Sequence, residues 1–529
     1  GLLRSAGQLT LTTVQLDNST SGGLDHGIEG HSLLLRADSL DNRSGALRAD
    51  SDIDLGLSTG LNNDAGLVSA GGKLLLADRD SNATRLRIDT GSGTLLAGSL
   101  LSMNAAYFSG SGQALSLGDL ILRQQGDLTT RGRLQANGTL DIAIGGSLSN
   151  SGQLLAGKTL ALSSQALDNQ ASGELSATAV NVRVGGQLTN RGLFDGQHVR
   201  LQAATLDNLG TGRVYGDQLA ISANALNNRD EQGRAAVIAA REQLDIGAQS
   251  IDNREDALLF SAGDLAIGGA LDADDHATGS AAELRNASAT VESLGDLRLA
   301  VAALRNTNEH FSTAQVQVSS EQLREYQISG SPNRYRPDEV SVYNDEVDHL
   351  RTPTGTRDNF NRYDYTRTVT ETRILTSAPG QILAGGNLTF SGDSIYNDKS
   401  RILAGGLLQA GAATVTNTEV DGQRVTTDAG TATNFYRIQR KGRDRQGTSV
   451  TAYRPAPLIQ DIDLTPTEYG EHATISGSGT QINGREQQAV GQQVAAVGQV
   501  DAQVSEQHQV GAVVEVKLED GQGVADLVR

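Results

Sequence analysis

The chain has 529 residues, a net charge of -19 and a pI near 4.8. That acidic balance argues against a nucleic-acid partner, whose binding rests on basic neutralisation of phosphates. Without Cys there is neither a disulfide nor a thiolate metal site, and no run of about eighteen apolar residues exists to span a membrane as a helix. Trp is absent, Met occurs once and aromatics make up 3%, against 62 Gly. A compact core of this size would use more large rings, so a narrow core of repeated Leu-sized layers is expected instead.

Residues 1–306 carry a recurring mark: an apolar residue, any residue, then Asn. It falls at Asn18, Asn42, Asn63, Asn150, Asn169, Asn190, Asn208, Asn228, Asn253, Asn286 and Asn306. It returns at Asn397 and Asn417, and Leu128-Thr129-Thr130 fills the slot without the amide. A period of about twenty residues signals a solenoid. Within each period Leu160 and Leu162, or Val180, Val182 and Val184, alternate with polar residues, which marks short strands with one buried face. Asn-Gly and Asp-Gly hairpin turns are nearly absent, so each period is expected to be one coil stacked on the last. Roughly fifteen coils at about 4.8 Å would make a rod on the order of 70 Å. The expected role of Asn150, Asn169, Asn190, Asn208 and Asn228 is a ladder of side-chain amides at one corner. The competing role is glycan attachment, since Asn18, Asn42, Asn82, Asn137, Asn286 and Asn387 head N-x-Ser/Thr sequons.

The period breaks over 307–380. All seven prolines follow residue 330, and Tyr335-Arg336-Pro337, Tyr343 and the alternating run from Tyr363 through Tyr365 and Val369 fall here. The segment reads as an insertion projecting from the rod, its alternating run an exposed strand or hairpin arm. The repeat resumes over 381–420 with Ile-Leu-Ala-Gly-Gly twice. Residues 421–480 form a basic and aromatic extension containing Phe435, Tyr436, Arg437, Arg440, Lys441, Arg443 and Arg445, the dense basic cluster of an acidic chain. Residues 481–529 are a Gln- and Val-rich tail, expected to begin a further region. Because Gly1 opens straight into repeat-like sequence, the chain is expected to be a processed or excised piece.

The pattern Gly-x-Leu-x-Asn-x-Gly-x-Leu-x-Ala, followed by Leu-x-Leu and Leu-x-Asn, resembles the haemagglutinin repeats of the filamentous haemagglutinin family, two-partner-secreted exoproteins of Gram-negative bacteria. Asn306-Thr-Asn-Glu-His310-Phe311, and the passage from Thr370-Glu371-Thr372 to Pro379-Gly380 and Asn387-Leu388, also resemble it. The resemblance implies an all-β fold, a right-handed parallel β-helix, and export through an outer-membrane transporter barrel to the cell surface as a single-chain filament. It further implies a stalk that displays a receptor-binding region for delivery of a C-terminal toxin to neighbouring bacteria, as in contact-dependent growth inhibition. A host-cell adhesin is the alternative. The receptor would be an outer-membrane protein or lipopolysaccharide on the target cell.

Asp17, Asp41, Asp168, Asp207 and Asp252 share one repeat position, as the carboxylates of a β-helix polysaccharide-degrading enzyme would. Asn62, Thr189, Asn227 and Arg285 occupy the same slot, however, so it accepts turn formers generally. Asp272-Ala-Asp274-Asp275-His276 lacks the nonapeptide repeat of calcium-binding β-rolls. No catalytic residue, cofactor or metal is therefore expected. The candidate receptor-binding residues are Tyr335, Arg336, Tyr343, Tyr363, Tyr365, Phe435, Tyr436, Arg437, Arg440, Lys441, Arg443 and Arg445, because Tyr and Arg dominate interface hot spots and a basic patch suits an acidic partner.

Overall fold

The computed structural model describes residues 1–22 and 26–466, so the expected region 481–529 and the end of the 421–480 segment lie outside the described residues. The described residues divide into two compact units, one built from 1–308 and 379–417 and the other from 309–378 and 418–466.

The first unit is a parallel β-solenoid with coils of about twenty residues. Three files of inward side chains run along it, one per face. Leu120, Leu140, Leu160, Val180, Val199, Leu219, Leu244, Leu265 and Leu297 pair in register along one face. A second face stacks Leu134, Leu154, Leu175, Phe194, Val214, Ile238, Leu259, Val291 and Ile382. The Leu-x-Asn face aligns Leu148, Leu167, Leu188, Leu206, Leu226, Ile251, Leu284, Leu304 and Ile395. All are buried in one continuous aliphatic core. Each large side chain removed from water contributes roughly 1.5–3 kcal/mol, so aliphatic stacking supplies what few aromatics cannot.

The asparagines form a second, polar file. Asn150 Nδ2 donates to Asn169 Oδ1 at 2.9 Å, and the relay continues through Asn190, Asn208, Asn228, Asn253, Asn286, Asn306, Asn397 and Asn417 at 2.7–2.9 Å. Asn18, Asn42 and Asn63 make a shorter run. Between the two runs the slot holds Thr90, Gly110 and Thr130. Asn42 and Asn286 are fully buried, so their sequons offer no accessible acceptor. Packing is close at this corner: a Cβ on Gly45 would sit 2.2 Å from the Asn18 carbonyl and 2.6 Å from Asn42 Oδ1. Glycine after the ladder residue is thus a steric requirement.

The 307–380 interruption leaves the solenoid's register intact. Asn306 pairs with Asn397 and Leu304 with Ile395, as if the intervening residues were one turn. Outer-face carboxylates also tie coils together: Asp119, Asp127 and Asp296 accept backbone N–H groups of Thr139, Ser147 and Asn387 at 2.7 Å.

The second unit is antiparallel. Ser312–Ile328 pairs with Phe360–Thr376, which pairs on its other side with Asp421–Ile438; Arg445–Tyr453 and Leu458–Asp463 both pair with the latter. The alternating Tyr363–Val369 run, read from the sequence as an exposed strand or hairpin arm, is therefore an inner strand with antiparallel neighbours on both sides. A smaller sheet of Ser341–Asn344, Asp348–Thr352 and Gly355–Arg357 belongs to the same unit.

Candidate functional site

The candidate residues all lie in the antiparallel unit and fall into two groups. The first is internal. Tyr365 is buried, its ring 5.2 Å from that of Tyr453, and burial pushes its phenol up to about 12. Tyr363 donates its hydroxyl to Gln327 Oε1 at 2.7 Å and meets Tyr453 edge-on at 5.0 Å. The Arg334 guanidinium lies 3.9 Å over the Tyr363 ring and 4.9 Å over the Tyr453 ring, and also bonds Glu325. These ring faces are already covered by a cation. Phe435 stacks on Phe360 at 4.7 Å and 9°. Tyr335 pairs through its backbone with Tyr326 and reaches Thr354 Oγ1 with its hydroxyl at 2.9 Å. Arg367 forms two bonds to Asp428, which holds the guanidinium firmly charged. This group fastens the 329–359 segment to the sheet. Tyr363, Tyr365, Phe435 and Tyr335 are packing residues first.

The second group is presented to solvent. Tyr343 is 46% exposed and stacks on His349 at 5.1 Å, with Val342 beside it. The turn joining Asp421–Ile438 to Arg445–Tyr453 carries the basic cluster, with Gly442 at φ 103°. Arg437 is consumed within the unit: it pairs with Asp444, with Asp358 at 3.4 Å and with Glu346 at 3.6 Å. Its bond to Asp444 raises its affinity for the proton, while the backbone N–H of Arg440 and Arg437 itself lower that of Asp444. Arg443 reaches the Asp345 carbonyl at 3.4 Å. The side chains of Arg440, Lys441 and Arg445 form no ion pair with described residues, and Tyr436 is exposed nearby in sequence. Arg336 is exposed, with its backbone N–H on Glu339. The arrangement offers cations and amphipathic rings on one turn and one small sheet.

The sequence reading missed Tyr326, Arg334, Phe360 and the Arg367–Asp428 pair. The available signal was the alternation Phe360-Arg362-Asp364 against Tyr363-Tyr365-Arg367, which sorts side chains onto two faces of one strand.

The solenoid carboxylates are occupied locally. Asp41 pairs with Arg43 at 2.7 Å, and that bond pulls it below the usual carboxylate range. Asp168 faces Arg191, Asp252 faces Arg254 and Arg285, and Asp207 accepts from Gln187 and Asn227. Asp17 is lowered by its hydrogen bonds to Ser19. Asp17 and Asp41, both held low, are the opposite of the raised-pKa partner that acid catalysis requires. Among the described residues no group of three or more His, Asp or Glu is placed to hold a metal ion.

The haemagglutinin repeat family model matches residues 1–27, 135–192, 195–265, 247–323 and 355–434, more than half of the chain. The chain is also 31% identical over 324 residues to a deoxyribonuclease CdiA of Dickeya dadantii (strain 3937), a match covering 58% of this chain and 9% of that protein. The chain thus spans a small part of that relative's length. No solved structure matches the chain. With its stacked coils, corner asparagines and matched repeats, the chain belongs to the haemagglutinin repeat family.

Proposed function

We propose that this chain is a stalk segment of a secreted cell-surface filament, in which the solenoid supplies reach and the antiparallel unit supplies recognition. The export route is a two-partner one through an outer-membrane transporter barrel, and the end use is delivery of a C-terminal toxin to neighbouring bacteria. The kinship with the CdiA relative supports that end use; the deoxyribonuclease activity in that protein's name is not assigned to these residues. The observation that carries the recognition role is the contrast in how charge is spent. Solenoid carboxylates and amides bond one another, whereas Arg440, Lys441 and Arg445 remain uncompensated beside exposed Tyr436, and Tyr343 stands exposed on the small sheet. Tyr and Arg in such settings dominate binding energy. The partner fitting them is an acidic outer-membrane surface loop or lipopolysaccharide on the target cell.

The test replaces Tyr343, Arg440, Lys441 and Arg445 by Ala together in the full chain. Attachment to target bacteria should fall by about tenfold or more, with unfolding of the solenoid unchanged. Attachment equal to that of the parent chain would remove the proposal.

A further inference from the structure

Corner asparagines mostly recur about every twenty residues, but Asn253 and Asn286 lie 33 apart. The extra chain is a built feature on the outer face. Ala270–Leu271 pairs antiparallel with Ala277–Thr278. Asp275, at φ 66°, accepts a bond from Arg200 Nε at 2.7 Å, 75 residues earlier in sequence. The Ala277 N–H donates to Asp245 Oδ1 at 2.7 Å, and Arg298 donates to the Ala277 carbonyl at 2.6 Å. The detour is therefore pinned across several coils.

Beside it lies an open groove of about 540 Å³, lined by Asp141, Ser163, Asn181, Arg183, Arg200 and Asp275 together with small apolar residues such as Ala161. Register places Asp141, Ala161, Asn181 and Arg200 in one outward file, one residue per coil. That file repeats at about 4.8 Å, close to the rise of one sugar unit in an extended polysaccharide. Asp141 and Asp275 are neutralised by Arg123 and Arg200. The side chains of Ser163, Asn181 and Arg183 make no hydrogen bond to described residues, so their donors and acceptors are available to a ligand. The ligand that fits is rich in hydroxyls and uncharged. Exposed Asp272 and Asp274 on the detour, and the net charge of -19, oppose a polyanion.

We propose that this groove binds an extended neutral polysaccharide strand, with Asn181, Arg183 and Ser163 bonding its hydroxyls and the pinned detour walling one side. The strand is held and left intact. Affinity electrophoresis of the full chain through gels containing dextran, mannan, galactan or polygalacturonate tests this. Migration should be retarded by at least one neutral polymer, whose chain length stays constant. Asn181→Leu and Arg183→Ala should each weaken retardation about five- to tenfold, the effect of one lost hydrogen bond, with the unfolding transition unmoved. No retardation by any neutral polymer, retardation by polygalacturonate alone, or retardation unaltered in both variants would overturn it. The outcome is independent of the Tyr343 and Arg440 substitutions above.

Discussion

A primary amide can sit inside the solenoid because along most of the ladder an Asn gives one N–H to the next coil's amide oxygen and another to a backbone carbonyl. Asn208, for example, bonds Asn228 Oδ1 at 2.8 Å and the Val237 carbonyl at 3.1 Å. Removing it strands the Asn190 donor and the Asn228 acceptor in a dry corner. Asn208→Ala should therefore cost about 2–4 kcal/mol, read from chemical denaturation, whereas Asn417→Ala at an exposed position should cost less than about 1 kcal/mol. Glu292 behaves oppositely. It is fully buried between Phe260 and Leu383 in the file, neither carboxylate oxygen has a hydrogen-bond partner among the described residues, and burial pushes its pKa from 4.5 up to about 8. The folded chain binds this proton more tightly than the unfolded one, so Glu292's contribution to stability declines as pH rises from about 4.5 to about 8. The decline is roughly 1.4 kcal/mol per pH unit. Glu292→Met should stabilise the solenoid by about 3–4 kcal/mol more at pH 7 than at pH 4.5, and that pH-dependent part of the gain should vanish below about pH 4.5. A gain independent of pH would show that the carboxyl is not buried. The ladder was legible in the sequence because it recurs. Glu292 was not, because its slot holds Leu96, Leu115 and Phe260 in some coils and Arg48, Gln135 and Asp195 in others, so no residue type recurs there.

At the scale of elements, solenoid strands announce themselves through Leu-x-Leu alternation and the glycines that the tight corner demands. The antiparallel sheet does not. Its central pairing joins Phe360–Thr376 to Asp421–Ile438 across two whole coils of solenoid, and nothing local in either strand names the other. Length and alternation showed that both are strands; only tertiary pairing shows that Tyr363 and Tyr365 face Tyr453 instead of solvent. Arg334 closes that cluster from an irregular segment. Arg334→Ala should destabilise the antiparallel unit by about 1–2 kcal/mol, seen as a lower transition for its tyrosine signal. Arg334→Lys should recover less than half, because an ammonium cannot lie flat over two rings. Full recovery by Lys would mean that charge alone matters.

For the molecule as a whole, stability is a sum over neighbouring coils, and a large excursion is tolerated wherever the chain returns to the next coil position. The sequence showed this architecture because identical positions recur with one spacing, and it showed where the spacing fails. It left open which surface groups remain unspent, since that depends on partners from distant segments, as with Arg437 and Asp358. The central claim is one coil per recurrence, continuous across residues 307–380. The chain contains no Cys, so nitroxide labels can be placed at introduced cysteines in pairs without background. Positions 168, 189, 207, 227, 252, 285, 305 and 396 are successive neighbours on one face. Electron–electron distances from position 168 should be about 19 Å to 252, 29 Å to 305 and 34 Å to 396. The step of 91 positions from 305 to 396 should thus add one coil height, and a distance to 396 longer by more than about two coil heights, or distances that do not grow linearly with recurrence number, would contradict the stacked solenoid.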